Sequence, residues 1–172
     1  MGIFTLSSEQ LTLPQVRMYA KEIIEASWPV ILTTIGDNGL PVSRAMTNLH
    51  WVERTQAQTK FFASQGEWNV CFRTHRSTDK VRQIHKFVRA NAYFCEANKK
   101  FGVNLIGRVE LFEDQQTKEI LWHREWECYY PCGPEDEEYG LLKLHTERLR
   151  IFLHLSELGD QCINLRVEDM WD

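Results

Sequence analysis

The stretch VILTTIGDNGLPVSRAM, from Val30 to Met46, constrains this chain more than any other. Val30 to Ile35 is apolar and rich in β-branched residues, bounded by Pro29 and Gly36, and reads as a strand. Asp37-Asn38-Gly39 supplies residues that tolerate positive φ, as a tight hairpin demands. The returning strand carries Pro41 at its start, where proline is tolerated. It also carries a charge, Arg44, among small and apolar neighbours. A fold that contains this hairpin has to accommodate an antiparallel ribbon and find a use for that arginine.

The rest of the chain follows the same lead. Val16, Ala20, Ile23 and Ile24 recur at helical spacing behind Pro14, so residues 13–26 read as an amphipathic helix capped at Thr12 or Leu13. Lys60 to Ser64 and Trp68 to Thr74 read as short extended segments. VRQIHKFV places Val81, Ile84 and Val88 on one helical face. NAYFCEA is a strand, and FGVNLIGRVELFE is long enough for a strand bent at Gly107. DQQTKEILWHREW is rich in helix formers, with Asp114 or Thr117 as its cap. YGLLKLH looks extended, TERLRIFLHL fits helix or strand, and INLRV alternates as a last strand.

That makes six or seven antiparallel-type strands with three or four short helices. The expected fold class is mainly β (α+β): an antiparallel barrel, closed or partly closed, with helices packed outside. Neither a repeat nor a linker-like stretch interrupts residues 1–172, so one domain is expected.

Composition removes several function classes. The net charge of −4 argues against nucleic-acid binding by bulk electrostatics. No apolar run approaches the roughly 18 residues of a membrane span. The opening MGIFTLSSEQ lacks a signal peptide's basic and apolar regions, and Leu6 stands where a myristoylation motif wants Ser or Thr. The expected location is the cytoplasm. Five widely spaced cysteines do not describe a disulfide framework and read as free thiols. Cys128 and Cys132, with His123 nearby, are spaced too loosely for a metal site, and none is expected.

The chemistry concentrates in FRTHRSTDKVRQIHKFV. A strand ends near Thr74, and a helix begins near Ser77 or Thr78 with Asp79 in its first turn and Lys80 just inside. A helix N-terminus presents unpaired N–H groups and partial positive charge, which suit an anion. Thr74 and Thr78 add hydroxyls, and Lys80 adds a charge. If Arg44 faces the same place, its planar fork of donors completes a phosphate site. The plainer reading is a capped helix with a solvated lysine, since a Thr cap followed by Lys is commonplace. The remaining histidines are scattered; His75 lies in the same turn. YYPCGPEDEEYG, from Tyr129 to Gly140, reads equally as a solvated acidic loop or as a flap over a cleft or interface.

ILTTIGDNGLPVSRAM, FRTHRSTDKVRQI, ANAYFCEA, LIGRVELFED and LWHREWECYYPCGPEDEEYGLLKL, in that order, resemble the pyridoxamine-phosphate-oxidase-like flavin-binding split barrels, nearest the general stress protein branch. The resemblance covers roughly Ile23 to Leu144. It implies a homodimer of six-stranded split β-barrels with FMN held in clefts at the subunit interface. Carried over by position, Arg44, Thr74, Thr78 and Lys80 grip the flavin phosphate. The backbone of Arg44, Ala45, Met46 and Thr47 runs along the ribityl chain and ring, and Arg73 and Asp79 complete the cofactor-binding set. Gly102 stands where vitamin-B6 oxidases place a glutamine that contacts the flavin. The chain end INLRVEDMWD, with Arg166 and Trp171, does not align with the segment those oxidases close over substrate. The expected function is therefore an FMN-dependent oxidoreductase of unassigned small-molecule substrate, with no catalytic side chain identified. A non-catalytic flavin-binding sensor and a haem-binding split barrel are the alternatives.

Overall fold

The computed structural model describes residues 11–49, 54–96, 98–155 and 159–170. His50, Trp171 and the MGIFTL opening lie outside the described residues. β1 (Val30–Ile35) and β2 (Pro41–Met46) form the expected hairpin, in register from Val30 opposite Met46 to Ile35 opposite Pro41. Gly39 takes φ 78° in the turn, where a side chain would be strained. The Leu40 N–H donates to the side-chain oxygen of Asn38 at 3.1 Å, which closes the loop locally. Along β1, Val30, Leu32 and Thr34 are buried while Ile31, Thr33 and Ile35 face partly outward, the period of two that a half-covered strand requires.

α1 (Leu13–Ala26) buries Val16, Ala20, Ile23 and Ile24. Thr12 is its N-cap, with its N–H donating to the Gln15 side chain at 2.9 Å. α2 (Gln56–Ser64) corrects the expectation that Lys60 to Ser64 is extended. Phe61 and Phe62 favour strand by propensity, but a reciprocal capping box outweighs them. The Gln58 N–H donates to Thr55 Oγ1 at 3.2 Å, and the Thr55 N–H donates to Gln58 Oε1 at 3.0 Å.

β3 (Val70–His75) leads into α3 (Asp79–Lys86), then β4 (Arg89–Glu96) and β5 (Phe101–Phe112). α3 stops before Val88, whose carbonyl accepts from the Val109 N–H at 2.7 Å; Val88 is sheet-bonded rather than on the helical face expected for it. β5 shifts register against the following strand between Ile106 and Gly107. A Cβ at Gly107 would collide with the His145 carbonyl oxygen, so the bend needs the glycine there. α4 (Gln115–Ile120) starts at Asp114, whose carboxylate accepts from the Thr117 N–H at 2.7 Å.

β6 (Tyr139–Leu155) is one strand through both YGLLKLH and TERLRIFLHL. Its far half alternates buried Leu149, Ile151 and Leu153 with exposed Arg150, Phe152 and His154, which decides for strand over helix. β7 (Gly159–Arg166) pairs with that half, and β3 pairs with the near half. The sheet runs β2-β1-β4-β5-β6-β3, antiparallel throughout, with β7 off the path. Six strands on one curled path, flanked by four helices, make a split barrel whose two end strands are β2 and β3.

Two apolar clusters meet at β3. Val70 and Phe72 point into the barrel with Leu32, Phe94, Leu142 and Leu144. Cys71 points the other way, into a second cluster with Phe62, Trp126, Tyr130, Tyr139 and Leu141 beneath α2 and α4. No described helix is long and apolar enough to cross a membrane.

Candidate functional site

Arg44 faces inward because it stands opposite Leu32, which is fully buried. A charge on an inward face needs acceptors, and the barrel supplies three. The Arg44 guanidinium donates to Thr34 Oγ1 at 2.6 Å, to Gln83 Oε1 at 3.0 Å and to the Leu32 carbonyl at 3.3 Å. Thr34 also donates to Gln83 Oε1, at 2.5 Å. Burial lowers the Arg44 pKa, while the Asp79 carboxylate acts to raise it.

The other cation of the expected set arrives from the opposite end of the sheet. Lys80 Nζ donates to Thr78 Oγ1 at 3.0 Å and to Thr74 Oγ1 at 3.2 Å. Its pKa is lowered first by burial and then by the nearby Arg44 charge, with Asp79 opposing. Lys80 therefore feels the Arg44 charge, and among the described residues neither is in an ion pair. Their hydrogen-bond acceptors are hydroxyls and amide or carbonyl oxygens, all neutral. Asp79 is engaged with Arg82 at 3.1 Å, in the first turn of α3 where the helix dipole favours a carboxylate.

The two groups border one cleft of about 720 Å³, within the range of small-molecule sites. β2 contributes Arg44, Ala45 and Met46, followed by Thr47; β3 and the start of α3 contribute Arg73, Thr74, Thr78, Asp79 and Lys80. All nine expected site residues thus line the same opening, at the seam between the end strands. Among the described residues β2 has one hydrogen-bonded neighbour, so its far edge offers backbone groups to whatever occupies the cleft.

Two details differ from expectation. Thr78 is the N-cap of α3, yet its side chain makes no capping bond; its hydroxyl donates to the His75 carbonyl at 2.7 Å, and Thr74 Oγ1 donates to the same carbonyl at 3.1 Å. The Val81 N–H turns back to the Thr78 carbonyl at 3.0 Å, and the Asp79 and Lys80 N–H groups ahead of it are left for the cleft. Tyr129 and Tyr130 also part company. Tyr129 is exposed, whereas Tyr130 is fully buried in the second cluster and touches the cleft wall, its ring 4.6 Å from that of His75. Among the described residues, no cluster of metal-ligating side chains forms.

Gln83 and Thr34 are the site residues that sequence reading missed. Gln83 is 6% exposed and holds Arg44 in place from α3. Its spacing from Lys80, one helical turn, is the signal that was available.

A family model, pyridoxamine 5'-phosphate oxidase like, matches residues 20–152. The chain belongs to that family. No curated protein matches the sequence significantly. A solved protein of Clostridium acetobutylicum related to the general stress protein 26 of B. subtilis (pyridoxinephosphate oxidase family) is 26% identical, with a TM-score of 0.72 over 93% of this chain and 99% of its own. A haem binding protein of Mycobacterium smegmatis is 14% identical, with a TM-score of 0.60 over 94% of this chain and 61% of its own. A pyridoxamine 5'-phosphate oxidase-related, FMN binding protein of Nostoc punctiforme is 12% identical, with a TM-score of 0.52 over 92% of this chain and 100% of its own. The last two likenesses concern the fold alone.

Proposed function

We propose that this protein binds FMN in the seam between β2 and β3 and serves as an FMN-dependent oxidoreductase. The observation that carries the reading is the convergence of Arg44 and Lys80, from opposite ends of the sheet, with no carboxylate partner for either among the described residues. Two like charges are brought together at a cost that a dianionic phosphate would reverse. The donor set fits that group: two cations, the rotatable hydroxyls of Thr74 and Thr78, and the open N-terminus of α3. The far edge of β2, from Arg44 to Thr47, suits the polar chain and ring edge of the cofactor. When bound, the isoalloxazine supplies the electron-transfer chemistry, and the chain's own residues bind it, orient it and control access.

The same reading makes the protein a homodimer. Tyr93 and Phe152, 39% and 41% exposed, flank Gly102 on neighbouring strands, and a Cβ at Gly102 would run into the Tyr93 phenol. This exposed aromatic row across β4, β5 and β6 suits an isologous contact.

The test is uptake. Purified protein incubated with FMN should take up one flavin per chain and show its two-banded absorption after desalting. Reversible bleaching by NADH or NADPH under nitrogen would mark an enzyme rather than a store. Refusal of FMN together with a Soret band on adding haem would overturn the proposal in favour of a haem protein, for which His75 at the cleft is the available ligand.

A further inference from the structure

The cleft holds a third cation, Arg73, which the resemblance placed in the cofactor-binding set and whose surroundings assign it a different partner. Arg73 and Thr74 are consecutive on β3, so their side chains leave on opposite faces. Thr74 points to the barrel side, where Thr78 and Lys80 gather around it. Arg73 points to the side of the second cluster, where its guanidinium lies 5.2 Å from the Trp126 ring centre and 4.7 Å from that of Tyr129. Because β3 ends the sheet, the cleft reaches around its edge and touches both.

We propose that Arg73 is a substrate-binding residue that receives the carboxylate of a small planar acid beside the flavin; the proposal rests on the phosphate being held by Arg44 and Lys80. Three observations carry it. Arg73 makes no ion pair among the described residues, and its Nε is buried with no hydrogen-bond partner. Trp126 and Tyr129 meet the guanidinium through their rings and bring no anion to it, and the planar fork of donors favours a planar, two-oxygen anion. The charges also divide. With Asp79 paired to Arg82, Arg44 and Lys80 match a dianion, and the single remaining charge of Arg73 matches a monoanion, which a carboxylate is at neutral pH. The fully buried Tyr130 stands on the same wall, its hydroxyl beside the Arg73 guanidinium. Burial raises its pKa, against the hydrogen bond and charge of Arg73, which act to lower it, so the phenol stays protonated and adds no competing negative charge.

The test uses benzoate, with benzyl alcohol and phenyl phosphate as controls, titrated into FMN-loaded and flavin-free protein and followed by calorimetry. The expected result is that benzoate binds in preference to both controls, and that Arg73→Gln weakens benzoate about tenfold or more while changing FMN affinity far less. Arg73→Lys, which keeps the charge and loses the fork, should fall between. Indifference between benzoate and benzyl alcohol would overturn the proposal. So would tighter, Arg73-dependent binding of phenyl phosphate, or an Arg73→Gln variant that loses FMN as severely as benzoate. Arg73-dependent benzoate binding by a protein that refuses FMN would uphold the acid site and sink the flavin reading alone.

Discussion

Among the partly or wholly buried cations of the described residues, two pairs behave differently. Lys118 on α4 and Lys143 on β6 are the deeper pair, 6% and 8% exposed. Lys143 Nζ donates to Gln65 Oε1 at 2.7 Å and lies 5.4 Å from the Phe112 ring centre. Lys118 Nζ donates to the Asp136 carbonyl at 3.3 Å and lies 5.3 Å from that of Tyr139. Each deep lysine has an oxygen and an aromatic face, and at Lys118 the Asp136 carboxylate opposes the nearby Arg76 charge. Arg44 and Lys80 are shallower, yet they face each other across a cavity. Depth of burial therefore does not mark the ligand site. Convergence of like charges on an open cleft does.

The largest effect should come from removing both cleft cations. Arg44→Ala combined with Lys80→Ala should weaken FMN by about 2–5 kcal/mol, measured by fluorescence titration, because both charges that face the phosphate are gone. Retained affinity would erase the distinction between the pairs. Next, Lys143→Ala should cost about 2 kcal/mol of stability in urea denaturation, through its hydrogen bond to Gln65 and its aromatic contact. Its FMN affinity should stay within about twofold, since it does not border the cleft.

The smallest effect concerns pH. Burial and the Arg44 charge hold the Lys80 pKa below its ordinary 10.5, so the folded protein gives up this proton at lower pH than the unfolded chain. Flavin-free protein should therefore gain stability from this group as pH rises from the folded value towards 10.5, and Lys80→Met should lose that gain. FMN affinity should move the opposite way, falling across the same window as the lysine loses its charge. Lys118 is lowered in the same direction, so the Lys80 share is the difference between wild type and Lys80→Met.

Much of this was legible in the sequence. The hairpin wrote its own turn, and the alternation of β1 fixed which face Arg44 would share with Leu32. Thr74, Thr78 and Lys80 are local in sequence, so their grouping could be read directly. Gly107 announced the bend because no other residue fits beside His145. What could not be read depended on partners far along the chain. Gln83 looks like a solvated helix residue until α3 docks on β1 and meets Arg44. Arg73 belongs to the far side of β3 only because Trp126 and Tyr129, some fifty residues later, fold back over it. Lys60–Ser64, read as extended, lies in α2, whose decisive signal was the Thr55–Gln58 cap rather than the phenylalanines that follow it.

The most direct test compares FMN with riboflavin, which shares the ring and chain but lacks the phosphate, in calorimetric titrations of the wild-type protein. FMN should bind tighter by about a hundredfold or more, because the Arg44 and Lys80 charges meet only the phosphate. Equal affinity for the two flavins would contradict the account.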